Sequence, residues 1–197
     1  MFDPTDKSNE PHPNYHKAPI FFWNWLPSWI RELFTVTFTA GIREPGKRAA
    51  ELAWQEGAIR ARDAITPCTH CGLENFFDLP AIQASGGTIP PCYICKKEFD
   101  LPPRLRLDGN ASKIVLLHVG RELYPHHTEK ALFQFSKPSA RVVARSTGEL
   151  ALLNQSSEKW TVVHGNGSAR EIAPNQPAEL TNGITIHFGK ARGEVRV

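Results

Sequence analysis

Four cysteines, the chain's whole complement, fall into two Cys-x-x-Cys pairs: Cys68 with Cys71, and Cys92 with Cys95, separated by twenty residues. Thiolates are soft ligands, and two such pairs at this separation have the spacing of a structural zinc site. Each pair sets two sulfurs on one tight turn, and the segment between folds back to complete a four-sulfur shell. A closed shell has no position for water or substrate, so the expected role of Zn2+ is structural. Two other readings of the cysteines stand beside it: a redox Cys-x-x-Cys, which calls for a βαβ frame that this stretch lacks, and a set of plain buried thiols. His70, inside the first pair, is expected to be a solvated turn residue. His126-His127 is expected to be a solvated loop pair and not a second metal site.

The elements that must hold these cysteines differ on the two sides. Residues 1–19 carry four prolines with Asp, Asn and His, and are expected to be extended or irregular. Apolar residues at helical spacing predict a helix from Ser28 to Ala40, with Gly41 as its C-cap and Pro45 as a stop. A second helix is predicted from about Ala49 to Ala64. Trp23, Trp25, Trp29 and Trp54 lie here, four of the five tryptophans. They read either as a small local core or as a surface that belongs against another domain or chain. Between the cysteine pairs, 84–88 reads as a flexible loop joining two short strands.

Beyond residue 104 the pattern becomes period two, broken by Gly-Asn, Asn-Gly and Pro turns. Strands are predicted at 114–118, 121–123, 140–144, 150–153, 161–164, 170–172, 178–180, 185–188 and 193–197, the pattern of a β-sandwich. The expected fold class is α+β in several parts: a helical segment at 1–67, a zinc ribbon at 68–103 and an all-β sandwich at 104–197.

Composition sets the remaining bounds. A net charge of +3 does not call for nucleic acid or an anionic membrane. Lys96, Lys97, Arg104 and Arg106 are interrupted by acidic residues and make no basic stripe, so nucleic-acid binding is not expected. The greasiest stretch, 18–26, is too short to span a bilayer. The acidic start, Met1-Phe2-Asp3-Pro4-Thr5-Asp6, does not read as a signal peptide. With thiols at ligand spacing, this points to a reducing cytoplasm. The Asn-x-Ser triplets at Asn110, Asn154 and Asn166 are then chance matches to a glycosylation rule.

Two resemblances extend this reading. The run 26–34 (Leu-Pro-Ser-Trp-Ile-Arg-Glu-Leu-Phe), then Phe38-Thr39-Ala40-Gly41, Pro45-Gly46-Lys47-Arg48 and Trp54, resembles the closing helices of a protein-kinase large lobe. There a Pro-x-x-Arg loop joins two helices and its arginine pairs with the glutamate of an Ala-Pro-Glu motif; Arg48 matches that arginine. The stretch 3–13 is similar to an insert in a bacterial Ser/Thr kinase subgroup that accompanies von Willebrand A-domain proteins of tellurite-resistance type and a metal-dependent phosphatase. That subgroup continues into a Cys-x-x-Cys-Gly-x-x-Asn-Phe segment, as 68–76 does. The Gly-rich loop, lysine, His-Arg-Asp and Asp-Phe-Gly motifs of a kinase are absent from the 197 residues. The resemblance therefore implies a non-catalytic module docking a kinase, phosphatase or von Willebrand A-domain partner, or else the detached or truncated end of a kinase whose catalytic residues lie in an upstream chain. A zinc-ribbon nucleic-acid binder is a weaker third reading.

The β half resembles a forkhead-associated (FHA) domain. Gly120-Arg121 matches that family's Gly-Arg pair, Ser136 its phosphate-binding serine, and 180–189 its closing hairpin. Ser139 stands in place of the family's histidine, Lys159 of its asparagine and Trp160 of its glycine. The resemblance implies a phosphothreonine-peptide site at Arg121, Ser136 and Lys159, or a sandwich kept only for protein contact.

Overall fold

A computed structural model describes residues 10–130 and 133–197. Most of the stretch matched to the kinase insert lies outside the described residues. The fold is mixed α+β, with several antiparallel sheets and few helices, and it divides into two compact units between Asp100 and Leu101. The four cysteines belong to the first unit, together with the helices before them.

The first unit opens with α1 (Lys17–Trp23), which begins inside the stretch expected to be irregular. Pro27 then gives α2 (Ser28–Phe38) its extended entry, since proline lacks the N–H a helix interior needs. The helix stops two residues before the predicted end, at Thr39 (φ −118°, ψ −89°), and a separate turn, α3 (Ala40–Arg43), follows. Gly41 is thus not a C-cap. It is buried within α3, where a Cβ would lie 2.8 Å from Arg48 Cγ and 3.0 Å from the Val36 carbonyl oxygen. A 3-10 turn at Pro45–Lys47 leads to α4 (Glu51–Asp63), close to the predicted second helix.

Helices α2 and α4 pack through Trp29, whose indole N–H donates to the Gly57 carbonyl at 3.1 Å. A Cβ at Gly57 would stand 2.7 Å from Leu33 Cδ1, so glycine permits this approach. The Arg60 guanidinium lies 3.7 Å from the Trp29 ring centroid, a cation–π contact. Of the four early tryptophans only Trp29 is buried; Trp23, Trp25 and Trp54 are half-buried.

Two short strands, β1 (Ile65–Pro67) and β2 (Glu74–Phe76), form an antiparallel pair bracketing the first cysteine pair. The segment before 84–88 is a helix, α5 (Leu79–Ala84), where a strand was predicted. Its start explains the difference. Asp78 accepts from the Ala81 N–H at 3.1 Å and caps α5, while the same carboxylate accepts from the Ser28 N–H at 2.6 Å and hydroxyl at 3.1 Å. One aspartate therefore satisfies orphan donors at the starts of both α5 and α2.

The second unit holds β3 (Arg104–Leu107), β4 (Ile114–Leu116), β5 (Glu122–Leu123), the single turn α6 (Pro125–Thr128), β6 (Ala140–Ala144), β7 (Leu150–Asn154), β8 (Trp160–Val163), β9 (Ala169–Ile172), β10 (Pro177–Glu179), β11 (Thr185–His187) and β12 (Arg192–Arg196). A four-stranded sheet runs β10-β7-β6-β5 and a six-stranded one β4-β3-β12-β11-β8-β9. Inward residues of both sheets, including Leu105, Val142, Leu152, Trp160, Ile186 and Val195, share one apolar core. The strand predictions lie within about two residues of the observed ones, but β3 was not predicted. His126 and His127 sit on α6 and not in a loop. His127 is buried, its Nδ1 accepting the Tyr124 N–H at 2.9 Å.

The three Asn-x-Ser triplets share one local geometry. Asn110, Asn154 and Asn166 each accept, through Oδ1, both the N–H and the hydroxyl of the serine two residues on, at 2.7–3.0 Å. These are Asx-type turns, in which the side chain replaces a backbone acceptor. No helix among the described residues is long and apolar enough to cross a membrane.

Candidate metal centre

The two cysteine pairs adopt the same backbone knuckle. In the first, the Cys68 N–H donates to the Leu73 carbonyl at 2.7 Å and the Gly72 N–H to the Cys68 carbonyl at 2.9 Å. In the second, the Cys92 N–H donates to the Lys97 carbonyl and the Lys96 N–H to the Cys92 carbonyl, both at 2.9 Å. Both knuckles need a left-handed residue just after their second cysteine: Gly72 (φ 73°) in one and Lys96 (φ 60°) in the other. Glycine takes that conformation without strain and lysine does not.

All four sulfurs lie within 4.8 Å of one another. Cys68 Sγ is 3.8 Å from Cys95 Sγ, and Cys71 Sγ is 3.7 Å from Cys92 Sγ. A regular tetrahedron with Zn–S bonds of about 2.3 Å has an edge of about 3.8 Å. The residues therefore fit a four-thiolate zinc shell. A disulfide would need sulfurs at about 2.05 Å, and all four cysteines are free. Cys68 and Cys92 are buried, Cys95 is half-buried and Cys71 is exposed.

The electrostatics are uneven. Burial by itself raises the Cys92 thiol, but the N–H groups of Cys95 and Ile94, the Asn75 amide and Cys71 together bring it down to about 6. At Cys71 a backbone bond at Leu73 favours the thiolate, yet loss of water and the three other sulfurs push it up to about 11. Without a metal, then, the cluster holds its negative charge preferentially at the buried Cys92.

His70 is exposed and its Nε2 lies 2.9 Å from the Glu98 carbonyl. A carbonyl only accepts, so Nε2 carries the proton and ties the first knuckle to the segment after the second. The centre is also fastened to α1. The Tyr93 hydroxyl donates to the Phe21 carbonyl, the two rings meet edge-on at 4.8 Å, and Trp25 lies 4.6 Å from Phe76 of β2.

The remaining sequence-predicted residues are not among the four clustered cysteines. Arg48 donates through Nε to the Gly41 carbonyl at 2.8 Å, and Trp54 meets Phe34 edge-on at 4.9 Å. Arg121 is buried, with Nε donating to the Leu116 carbonyl at 3.2 Å. Ser136 lies in an exposed bend, and Lys159 pairs with Glu171 at 2.9 Å. Trp160, matched to a loop glycine, is a core residue edge-on to Phe188 at 5.0 Å.

Sequence reasoning gave no role at this centre to three participants: Asn75, which entered only as the asparagine of the Cys-x-x-Cys-Gly-x-x-Asn-Phe segment, Tyr93 and Lys96. Lys96 was findable as the residue at Gly72's place in the second knuckle. It also missed a charged face in the second unit. Across β3 and β12, Arg104 stands opposite Arg196 and Arg106 opposite Glu194, and Glu194 pairs with Arg196. Burial, then Arg106 and Arg196, lower the Arg104 pKa. Comparison with protein-family models gives no match for this chain, and comparison with curated proteins gives none either.

Proposed function

We propose that the chain is a non-catalytic, zinc-containing protein-interaction module of a bacterial Ser/Thr kinase and phosphatase signalling system, acting in the cytoplasm. In this reading the four thiolates of a zinc ribbon hold a structural Zn2+, the helices before it are the kinase-lobe-like part, and the two-sheet unit is an FHA-like sandwich kept for protein contact. The observation that carries it is the apolar surface of the first unit. Val36, Phe38, Ile42 and Leu52 are each 42–58% exposed. They lie around the end of α2, α3 and the start of α4, where the Ala49 N–H meets the Thr37 hydroxyl at 3.2 Å. An open groove of about 460 Å³ lined by Trp23, Ser28, Arg31, Glu32, Thr35 and Val36 runs beside them. Contiguous exposed apolar residues with a polar rim mark protein contact surfaces. The burial of Arg121 favours contact over phosphate capture, because a phosphothreonine site needs that guanidinium fork facing solvent.

The test titrates the full-length chain against the kinase, phosphatase and von Willebrand A-domain proteins of its own cell. One of them is expected to bind. An Ile42→Glu/Leu52→Glu variant, both positions being exposed, should keep its circular dichroism and lose roughly 30-fold or more in affinity. Unchanged binding by the variant removes this surface from the reading. Equal binding of phosphorylated and unphosphorylated threonine peptides is the expected control result.

A further inference from the structure

We infer that Asn75 is a positioning residue of the metal centre, fastening the two knuckles together and donating a hydrogen bond to the Cys92 thiolate. The inference rests on the reading that the four cysteines hold a metal. Asn75 lies on β2 and is 7% exposed. Its Oδ1 accepts the Tyr93 N–H of the second knuckle at 2.9 Å. Its Nδ2 donates to the Leu73 carbonyl of the first knuckle at 2.9 Å and points to Cys92 Sγ at 3.6 Å. A flipped amide would set NH2 against an N–H and oxygen against oxygen and sulfur, so the partners themselves fix its orientation.

The same Leu73 carbonyl accepts the Cys68 N–H at 2.7 Å, so one buried amide reaches a ligand residue of each pair. Neither knuckle is joined to the other by strand pairing; β2 pairs with β1, on the first knuckle's side. The amide also stabilises negative charge on the sulfur that sits deepest, since an N–H···S bond withdraws electron density from the thiolate lone pairs. Groups of this kind commonly set metal affinity by about 10–100-fold.

The experiment uses the full-length chain with Zn2+ and Co2+ as probes, comparing wild type with Asn75→Ala and the near-isosteric Asn75→Asp. Asp keeps the acceptor for Tyr93 but can donate neither to the Leu73 carbonyl nor to sulfur, so it holds the second knuckle if the alanine variant folds poorly, and the charge-transfer band separates the bond to sulfur from the fastening of backbones. Wild type should take up about one metal and show the intense thiolate-to-cobalt bands of a tetrahedral four-sulfur site. Both variants should lose about 10–100-fold in zinc affinity against a chromophoric chelator. Their charge-transfer band should move to lower energy, because an unbonded thiolate gives up its electrons more easily. Wild-type affinity with an unmoved band overturns the inference. Weaker binding with an unmoved band also overturns it, since that is the behaviour of a residue that only fastens backbones. A wild-type chain that takes up no metal removes the metal reading itself, and the inference with it.

Discussion

Removing the metal from the full-length chain with a strong chelator should loosen the first unit and leave the second folded. Between residues 68 and 100, the buried apolar side chains other than cysteine are Phe77 and Ile82. Full burial of two such side chains is worth about 3–6 kcal/mol together. Fixing the backbone costs about 1–2 kcal/mol for every residue ordered, and the segment's strand pairing amounts to three residues of β2 against β1. A structural four-ligand zinc contributes about 10–16 kcal/mol in apparent terms near neutral pH. A zinc bound by the four cysteines would therefore be the largest single contribution holding this stretch. The core of the second unit contains no cysteine. Hydrogen exchange on the full chain separates the two. With metal bound, the Cys68, Gly72, Cys92 and Lys96 amides, all hydrogen-bonded in the knuckles, should be protected. After chelation they should exchange rapidly while Val142 and Leu152 stay protected. Tryptophan emission should move to the red, because Trp25 packs on Phe76 beside the first knuckle. Undiminished protection of the four knuckle amides after chelation would refute the argument.

Zinc uptake near pH 7.5 should release protons, since Cys92, at about 6, is already ionised while Cys71, at about 11, is not. Affinity should accordingly rise with pH, and fall more steeply below about pH 6, where Cys92 also binds a proton that the metal must displace. Calorimetric titrations in two buffers of different ionisation enthalpy give the proton count, and a count of zero contradicts the assignment. Arg48→Ala should lower stability by about 1 kcal/mol in urea unfolding through loss of the bond to Gly41. Arg48→Lys should not restore it, because lysine has no N–H at the Nε position; full restoration would show that the bond contributes nothing.

Much of the second unit was legible because one face of each strand meets the core and the other faces away, which writes itself as alternation. β6 was predicted to the residue. β3 carries the same signal, Arg-Leu-Arg-Leu, with its leucines buried. It went unrecognised because Arg104 and Arg106 were weighed only as charges near the cysteine pairs and not as the outward positions of a strand. Trp160 was read as a loop residue through its resemblance position, yet its ring fills the core, a case where side-chain volume was the better guide than alignment. The cysteine spacing made the metal ligands legible, but not their support. Asn75 acts through contacts to residues 17–18 positions away, so its place in the Cys-x-x-Cys-Gly-x-x-Asn-Phe segment marked the residue without saying what it touches. The Asx turns were visible as Asn-x-Ser but were weighed only against a glycosylation rule and set aside as chance matches. At Asn154, which is fully buried, the same triplet bridges to the Glu158 and Ile172 carbonyls and holds the approach to Trp160.

The order of strands in the six-stranded sheet has a kinetic consequence. β12 lies between β3 and β11, so Arg104 pairs with Arg196 across most of the second unit's length. The hairpins β6–β7 and β8–β9 close locally and can form early. β3 with β4, and β11 with β8 and β9, remain two separate ribbons with open edges until β12 enters between them. Such long-range closure makes folding slow, and open edges meanwhile invite pairing between chains. On a ribosome this unit must wait for β12, whereas the first unit, whose knuckles close over four to five residues, can form its four-cysteine cluster while the rest is still being made.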